Sequence, residues 1–239
     1  MNLMTSILRR ELVAEGTMSF YFQKPEGFVF KAGQYVDMTL INPSETDREG
    51  NTRSLSIASA PCESDLMITT RLRDSTFKRV LQKEAENLEI KIAGPFGSFT
   101  LQNNTDRPAV FLMGGIGVTP ARSIILQATE EKKPHKIFLF YSNRRPEDMP
   151  FLNDFTEAEK NNPNFTFIPT MTDMKKSKIS WTGERGYIDP IMLQKYLPDL
   201  KTPVYYTAGP MKMTNAMREV LNSVAIDDDD IRSEEFAGY

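Results

Sequence analysis

Apolar and polar positions alternate in short runs through the first part of the chain and then give way to longer apolar blocks. Residues 6–13, 17–23 and 34–41 are rich in β-branched or aromatic side chains and are separated by Glu15-Gly16 and Pro25-Glu26-Gly27. That pattern predicts strands joined by turns. Residues 53–58, 66–72 and 88–92 continue the series, residues 43–52 are polar and predict a loop, and residues 75–83 predict one short helix. Six short strands at this spacing suggest an antiparallel barrel or sandwich.

The pattern changes after Gln102-Asn103-Asn104-Thr105-Asp106, a polar stretch suited to a linker. Residues 109–113 form an unbroken apolar run, as expected of a strand buried on both faces. Helical stretches at 119–130, 151–160, 190–197 and 211–224 then alternate with strand-like runs at 136–141, 165–169, 204–207 and 231–236. Such alternation predicts a parallel sheet covered by helices. The chain therefore divides into an antiparallel β domain, residues 1–104, and an α/β domain, residues 105–239.

Composition narrows the chemistry. The 239 residues include 29 Lys+Arg, 32 Asp+Glu, one cysteine (Cys62) and one histidine (His135), for a net charge of −3. Single counts of Cys and His argue against a disulfide framework and against zinc or iron–sulfur ligation, though not against a Ser-His-Asp or Cys-His arrangement. An organic cofactor is the leading expectation for an enzyme of this composition. The slight acidity gives no electrostatic reason to expect nucleic acid or an anionic membrane. No uncharged run exceeds residues 108–121, which is shorter than the ~18 residues of a membrane span. Arg9 and Arg10 follow the apolar residues of the N-terminus, the wrong order for a secretory signal, so a cytoplasmic location is expected. His135, after Lys132-Lys133-Pro134, is expected at the surface, Cys62 as an inert thiol, and residues 227–230 as a solvated acidic loop with no metal.

Three local patterns carry candidate chemistry. Gly114-Gly115-Ile116-Gly117-Val118-Thr119-Pro120 follows a strand and opens a helix. Glycines admit close backbone approach, and a helix start offers free N–H groups to a phosphate; Thr119 could cap that helix, with Pro120 at its first position. A tight turn that binds nothing would look the same. In Arg53-Ser54-Leu55-Ser56 an arginine could hold a phosphate and a serine could bond a ring nitrogen, or the arginine could make an ordinary surface ion pair. Gly94-Pro95-Phe96-Gly97 reads as a turn.

Taken together, Arg53-x-x-Ser56, Gly94-Pro95-x-Gly97, Gly114-Gly115-x-Gly117-x-Thr119-Pro120 and Ala208-Gly209-Pro210 occur in an order and spacing that resemble the ferredoxin–NADP reductase superfamily. The ending Glu234-Glu235-Phe236-Ala237-Gly238-Tyr239 looks like that of its bacterial members. The resemblance implies a six-stranded antiparallel barrel that holds FAD and an α/β domain that holds NADPH or NADH. It implies that Arg53 binds flavin phosphate, that Ser56 faces flavin N5, and that Leu55 replaces a stacking tyrosine. Ser54 lies between them on the same strand. Thr70 and Arg71 would supply main-chain contacts to the flavin, and Ser75-Thr76 would receive its pyrophosphate. Gly114, Gly115, Gly117, Thr119 and Pro120 would form the dinucleotide loop, with Ser142 and Arg144 on the following segment. Thr172-Asp173 and Lys175-Lys176 lie where relatives distinguish NADPH from NADH, and their charges conflict, with a slight lean to NADPH. Ala208, before Gly209 and Pro210, replaces a cysteine near the nicotinamide. Phe236 and Tyr239 would cover the flavin's second face, and Ser56, Thr119 and Tyr239 would stand nearest the reacting atoms. The implied activity is hydride transfer from NAD(P)H to FAD, followed by single-electron transfer to a separate carrier such as a ferredoxin or flavodoxin. Reduction of a small molecule, ferric chelate or oxygenase component, and a non-catalytic flavin- or nucleotide-binding module, are the alternatives.

Overall fold

The computed structural model describes residues 2–84 and 88–236. Antiparallel strands come first: β1 (Asn2–Thr5), β2 (Ile7–Ala14), β3 (Thr17–Gln23), β4 (Tyr35–Ile41), β5 (Thr52–Ser56), β6 (Asp65–Arg71) and, after helix α1 (Thr76–Glu84), β7 (Glu89–Phe96). They form two sheets, ordered β1-β7-β4-β5 and β2-β3-β6. The first expected strand, residues 6–13, is β2 and pairs with β3, while β1, which the sequence pattern does not predict, precedes it and pairs with β7. At the opposite seam, the isolated bridge Ile57–Ile68 joins the strand exit after β5 to β6. The two sheets thus close on one another around a core that includes Phe20, Val36, Met38, Leu40 and Ile92. Period-2 alternation explains the inward set: Val36, Met38 and Leu40 are buried while Tyr35, Asp37, Thr39 and Ile41 are more open. Helix α1 drives Phe77, Val80 and Leu81 into the same core.

The Gly94-Pro95-Phe96-Gly97 segment is not a turn for its first three residues, which belong to β7. The register against β4 shifts between Tyr35 and Asp37, and such a bulge tolerates a proline that has no N–H to give to the ladder.

The remaining elements alternate: β8 (Ala109–Gly114), α2 (Thr119–Glu130), β9 (Ile137–Asn143), α3 (Leu152–Asn161), β10 (Phe165–Met171), β11 (Glu184–Arg185), α4 (Pro190–Tyr196), β12 (Val204–Gly209), α5 (Met211–Ser223) and β13 (Ile231–Glu235). The strands form one six-stranded parallel sheet in the order β11-β10-β9-β8-β12-β13. Every residue of β8 and β12 is buried, as their apolar runs require. The chain steps from β8 towards one edge and later returns to the other side through β12. The crevice at the carboxyl end of β8 is therefore a switch point, where open α/β sheets bind ligands.

The connection between the two parts is packed rather than loose. Gln102 is 7% exposed, its backbone N–H donates to the Tyr206 hydroxyl at 2.9 Å, and its side chain donates to the Arg107 carbonyl at 2.9 Å. His135 is 5% exposed, not at the surface, and its Nε2 lies 2.8 Å from the Gln102 carbonyl. The charged residues before it stay outside while the ring turns in to meet that carbonyl. Ala58, Met67 and Phe99 from the antiparallel part pack in one apolar cluster with Phe111, Ile124 and Tyr206 of the α/β part.

A cleft between the barrel and the parallel sheet

A cleft of about 780 Å³ lies where the end of β5, the start of α1, the β8–α2 turn and the end of β13 meet. Of the residues singled out in the sequence, Arg53, Ser54, Leu55, Ser56, Thr70, Ser75, Thr119 and Phe236 line it together. Tyr35, Arg73, Lys78, Ile116 and Glu234 line it as well. Tyr239 lies outside the described residues.

Arg53 is held from several sides. Its Nη1 donates to the carbonyls of Glu49, Gly50 and Thr52 at 3.1, 2.9 and 2.9 Å. Its Nη2 is 2.9 Å from the Glu49 carboxylate and 3.7 Å from that of Asp47, and its guanidinium stands 5.3 Å from the centroid of the Phe77 ring. Burial lowers the pKa of the Lys78 ammonium, and the charges of Arg73 and Arg53 lower it further. Three cations therefore converge at this end of the cleft, beside the first turn of α1, where Ser75 Oγ accepts from the Lys78 backbone N–H at 3.4 Å. Thr76 opens α1 and is not among the cleft residues; its hydroxyl accepts from Arg79 at 3.1 Å.

Across the cleft, Gly115–Val118 forms a short 3-10 turn that runs directly into α2. Val118 is the N-cap of α2, so Thr119 does not cap it. The helical turn has already begun by then, and the Thr119 hydroxyl donates to the Ile116 carbonyl at 3.2 Å. Pro120 is the second residue of α2, one position later than expected, because the helix already begins at Thr119. The glycines are fixed by close approach. A Cβ on Gly117 would stand 2.2 Å from the Ala208 carbonyl oxygen, and one on Gly114 would stand 1.9 Å from Met213 Sδ. Gly115 takes the left-handed region at φ +51°, and a Cβ there would be 3.3 Å from Arg71 Nη2. Arg71 thus brings its side chain, and not only its backbone, from the barrel to the glycine turn. The Tyr141 hydroxyl donates to the Gly115 carbonyl at 2.8 Å. Ala208 is fully buried at the end of β12, followed by Gly209 and by Pro210 as N-cap of α5.

Ser142 pairs with Gly114 across β8 and β9. Arg144 is exposed, and its carbonyl accepts from the Asp173 N–H at 2.9 Å, which places 172–173 beside the end of β9. Ser142, Arg144, Gly114, Gly115, Gly117 and Pro120 gather at the switch point and do not line the main cleft.

Glu234 gave no signal in the sequence beyond its place in an acidic tail. Burial pushes its carboxyl up to about 7, and its Oε2 is buried with no hydrogen-bond partner among the described residues. Its other oxygen lies 4.0 Å from where a Cβ of Gly97 would be, so the barrel's Gly97 turn helps to bury it.

The family of oxidoreductase NAD-binding domains matches residues 111–219, which contain the glycine turn and the switch-point crevice. A component of the Na⁺-translocating NADH-quinone reductase of Serratia proteamaculans is 32% identical over 154 residues, 63% of this chain and 37% of that protein. Among solved structures, the FAD/NAD-binding domain of nitric oxide dioxygenase from Vibrio cholerae superposes with a TM-score of 0.83 over 98% of both chains at 17% identity. A ferredoxin NADP⁺ reductase from Neisseria gonorrhoeae, with FAD and NADP bound, gives 0.79 over 98% of both chains at 19% identity. The chain shares the two-part fold of these FAD- and nucleotide-binding structures. That likeness of fold extends over 98% of the chain, whereas the match to the quinone reductase component spans 37% of that protein's length. No described helix is long and apolar enough to cross a membrane.

Proposed function

We propose that this chain is a member of the ferredoxin–NADP reductase-like superfamily, an NAD(P)H-dependent flavin oxidoreductase that holds FAD in the cleft and passes electrons singly to a separate carrier protein such as a ferredoxin or flavodoxin. The observation that carries the reading is the meeting of Arg53, Leu55 and Ser56 with Ile116, Thr119 and Phe236 on the walls of one cleft. In this reading residues 1–104 hold the flavin, residues 105–239 hold the nucleotide, and the protein works in the cytoplasm.

The residues fit both groups. Arg53, Arg73 and Lys78 form a cationic end suited to the flavin's phosphates, with Ser75 at the start of α1 beside them. Ser54 and Thr70 would border the bound flavin, Leu55 would contribute apolar contact by dispersion, and Ser56 would offer a hydroxyl to it. The glycine turn has no room for a side chain at Gly117, where backbone stands close, and Gly115 exposes backbone next to the Arg71 cation, an arrangement suited to a pyrophosphate. Thr119, Ala208, Gly209 and Pro210 would hold the nicotinamide end of a bound nucleotide, and Ser142 and Arg144 its adenosine end. Phe236 closes the remaining side of the cleft and would have to yield before a nicotinamide could stack. When bound, the flavin supplies the conversion of two-electron hydride chemistry into one-electron steps. The chain itself binds, orients and excludes water; it needs no nucleophile.

The name of the quinone reductase relative favours NADH as donor, and Asp173 beside the end of β9 suits a free ribose hydroxyl more than a 2′-phosphate. A second reading, in which the acceptor is an oxygenase component, draws on the likeness to an Amycolatopsis cytochrome P450 reductase, TM-score 0.82 at 21% identity. Anaerobic titration of the flavin-loaded protein with NADH and with NADPH, followed at the flavin absorbance band, tests the main reading. A flavin that neither nucleotide bleaches would refute it. Reduction of ferredoxin compared with ferric chelates then separates the acceptors.

A further inference from the structure

Behind the cleft, helix α2 grips the chain just past the strand that presents Ser56. Arg122 lies one turn after Thr119, and its side chain is 7% exposed. Its Nη1 donates to the Ala58 carbonyl and to Glu63 Oε2, each at 2.8 Å, and its Nη2 donates to Glu63 Oε1 at 3.0 Å. Its Nε donates to Asp154 Oδ2 of α3 at 2.5 Å, and the guanidinium stands 5.1 Å from the centroid of the Phe151 ring. The next residue, Ser123, is fully buried and donates its hydroxyl to the Ser59 carbonyl at 2.7 Å.

These contacts sit at a fixed short reach from both cleft hydroxyls. Ala58 and Ser59 follow Ser56 by two and three positions, and Arg122 and Ser123 follow Thr119 by three and four. A rigid helical turn on one side and a short extended segment on the other connect the grip to the cleft. A planar guanidinium with donors in a fork can hold a barrel carbonyl, a barrel carboxylate and an α3 carboxylate together, and a lysine ammonium cannot match that geometry. The guanidinium is buried while the Glu63 and Asp154 carboxylates keep one side towards solvent, so the cation is held between two anions at the edge of the packed interface.

We propose that Arg122, aided by Ser123, is a positioning residue that sets the spacing between the Ser56 wall and the Thr119 wall, and so the approach of nicotinamide to flavin. The proposal rests on the flavin oxidoreductase reading. With both groups bound, the chemistry they would supply is transfer of a hydride, carrying both electrons, from the dihydronicotinamide to the oxidised flavin, which balances with no further proton. Neither Arg122 nor Ser123 would touch the reacting atoms.

The test uses the full chain loaded with FAD, in the forms wild type, Arg122→Lys and Ser123→Ala, mixed rapidly and anaerobically with NADH or NADPH. Arg122→Lys is expected to lower the limiting rate of flavin bleaching by about 10- to 100-fold, the scale on which small misplacements act. The flavin Kd, measured by fluorescence, and the nucleotide concentration at half-maximal rate are expected to stay within about twofold. The long-wavelength absorbance of the stacked nicotinamide–flavin pair is expected to weaken with the rate, which a purely structural contact would not cause. Ser123→Ala is expected to show the same signature at a few-fold, and it decides the matter if Arg122→Lys does not fold. Wild-type limiting rates and a wild-type long-wavelength band in the folded variants would overturn the proposal. So would a loss of flavin affinity as large as the loss of rate. A wild-type protein bleached by neither nucleotide would instead refute the underlying reading.

Discussion

The Glu49 carboxylate lies 2.9 Å from Nη2 of Arg53, so the cation assigned to the flavin phosphate is already engaged before any ligand reaches it. Three backbone carbonyls hold the other guanidinium nitrogen. Arg53→Ala is expected to weaken flavin binding by about 1.5–3 kcal/mol, the worth of a charged hydrogen bond, or roughly 10- to 100-fold in Kd. The Glu49 side chain is 75% exposed, and such a pair contributes under about 1 kcal/mol. Glu49→Gln is therefore expected to leave flavin affinity unchanged or slightly tighter. Fluorescence titration with FAD reads both. An Arg53→Ala protein with wild-type Kd would remove the phosphate role.

Glu234 predicts a pH dependence of stability. Burial raises its carboxyl from 4.5 to about 7, so between those values the folded protein binds more protons than the unfolded chain. Stability is then fully present below about 4.5 and falls as pH rises through about 7. At about 1.4 kcal/mol per pH unit, the loss is bounded at about 3 kcal/mol. Glu234→Gln, which stays neutral, is expected to flatten that slope in urea unfolding measured on both sides of the window. An equal slope in the two proteins would mean that other groups cause it.

Gly117 is the point of the glycine turn where neighbouring backbone comes closest. A Cβ there meets the backbone of Ala208 at 2.2 Å and of Gly209 at 2.6 Å, and neither can move aside as a flexible side chain could. Gly117→Ala is expected to cost about 1–3 kcal/mol of stability and to raise the nucleotide concentration needed for flavin bleaching, while flavin content stays near wild type. Normal nucleotide dependence in a folded Gly117→Ala protein would contradict the close-approach argument.

His135 separates a buried from a surface position. A surface substitution changes stability by about 0.5 kcal/mol or less. His135→Ala here would strand the Gln102 carbonyl inside the protein, at an expected cost of about 1–3 kcal/mol. Thermal melting at fixed pH distinguishes the two sizes.

The strand and helix order was legible because burial on one face or two leaves different periods, and β8, buried throughout, shows as an unbroken apolar run. Arg53, Ser56 and Thr119 were legible as local patterns, and their shared cleft is where the structure brings them together. What failed had non-local causes. Glu184–Arg185 is too short to show a period, and Gly94-Pro95 carries turn residues at a bulge. His135 and Glu234 owe their burial to Gln102 and to the Gly97 turn, segments distant in sequence. Arg122, inside an ordinary helical pattern, acquires its importance only from carbonyls and carboxylates on other elements.

Ala58, Met67 and Phe99 share an apolar cluster with Phe111, Ile124 and Tyr206, and this has a consequence for how the molecule comes apart. Neither half can melt without opening the other half's core to water, so heating is expected to give one calorimetric transition whose enthalpy belongs to the whole chain. A protease cut between residues 102 and 106 is expected to leave two fragments that elute together.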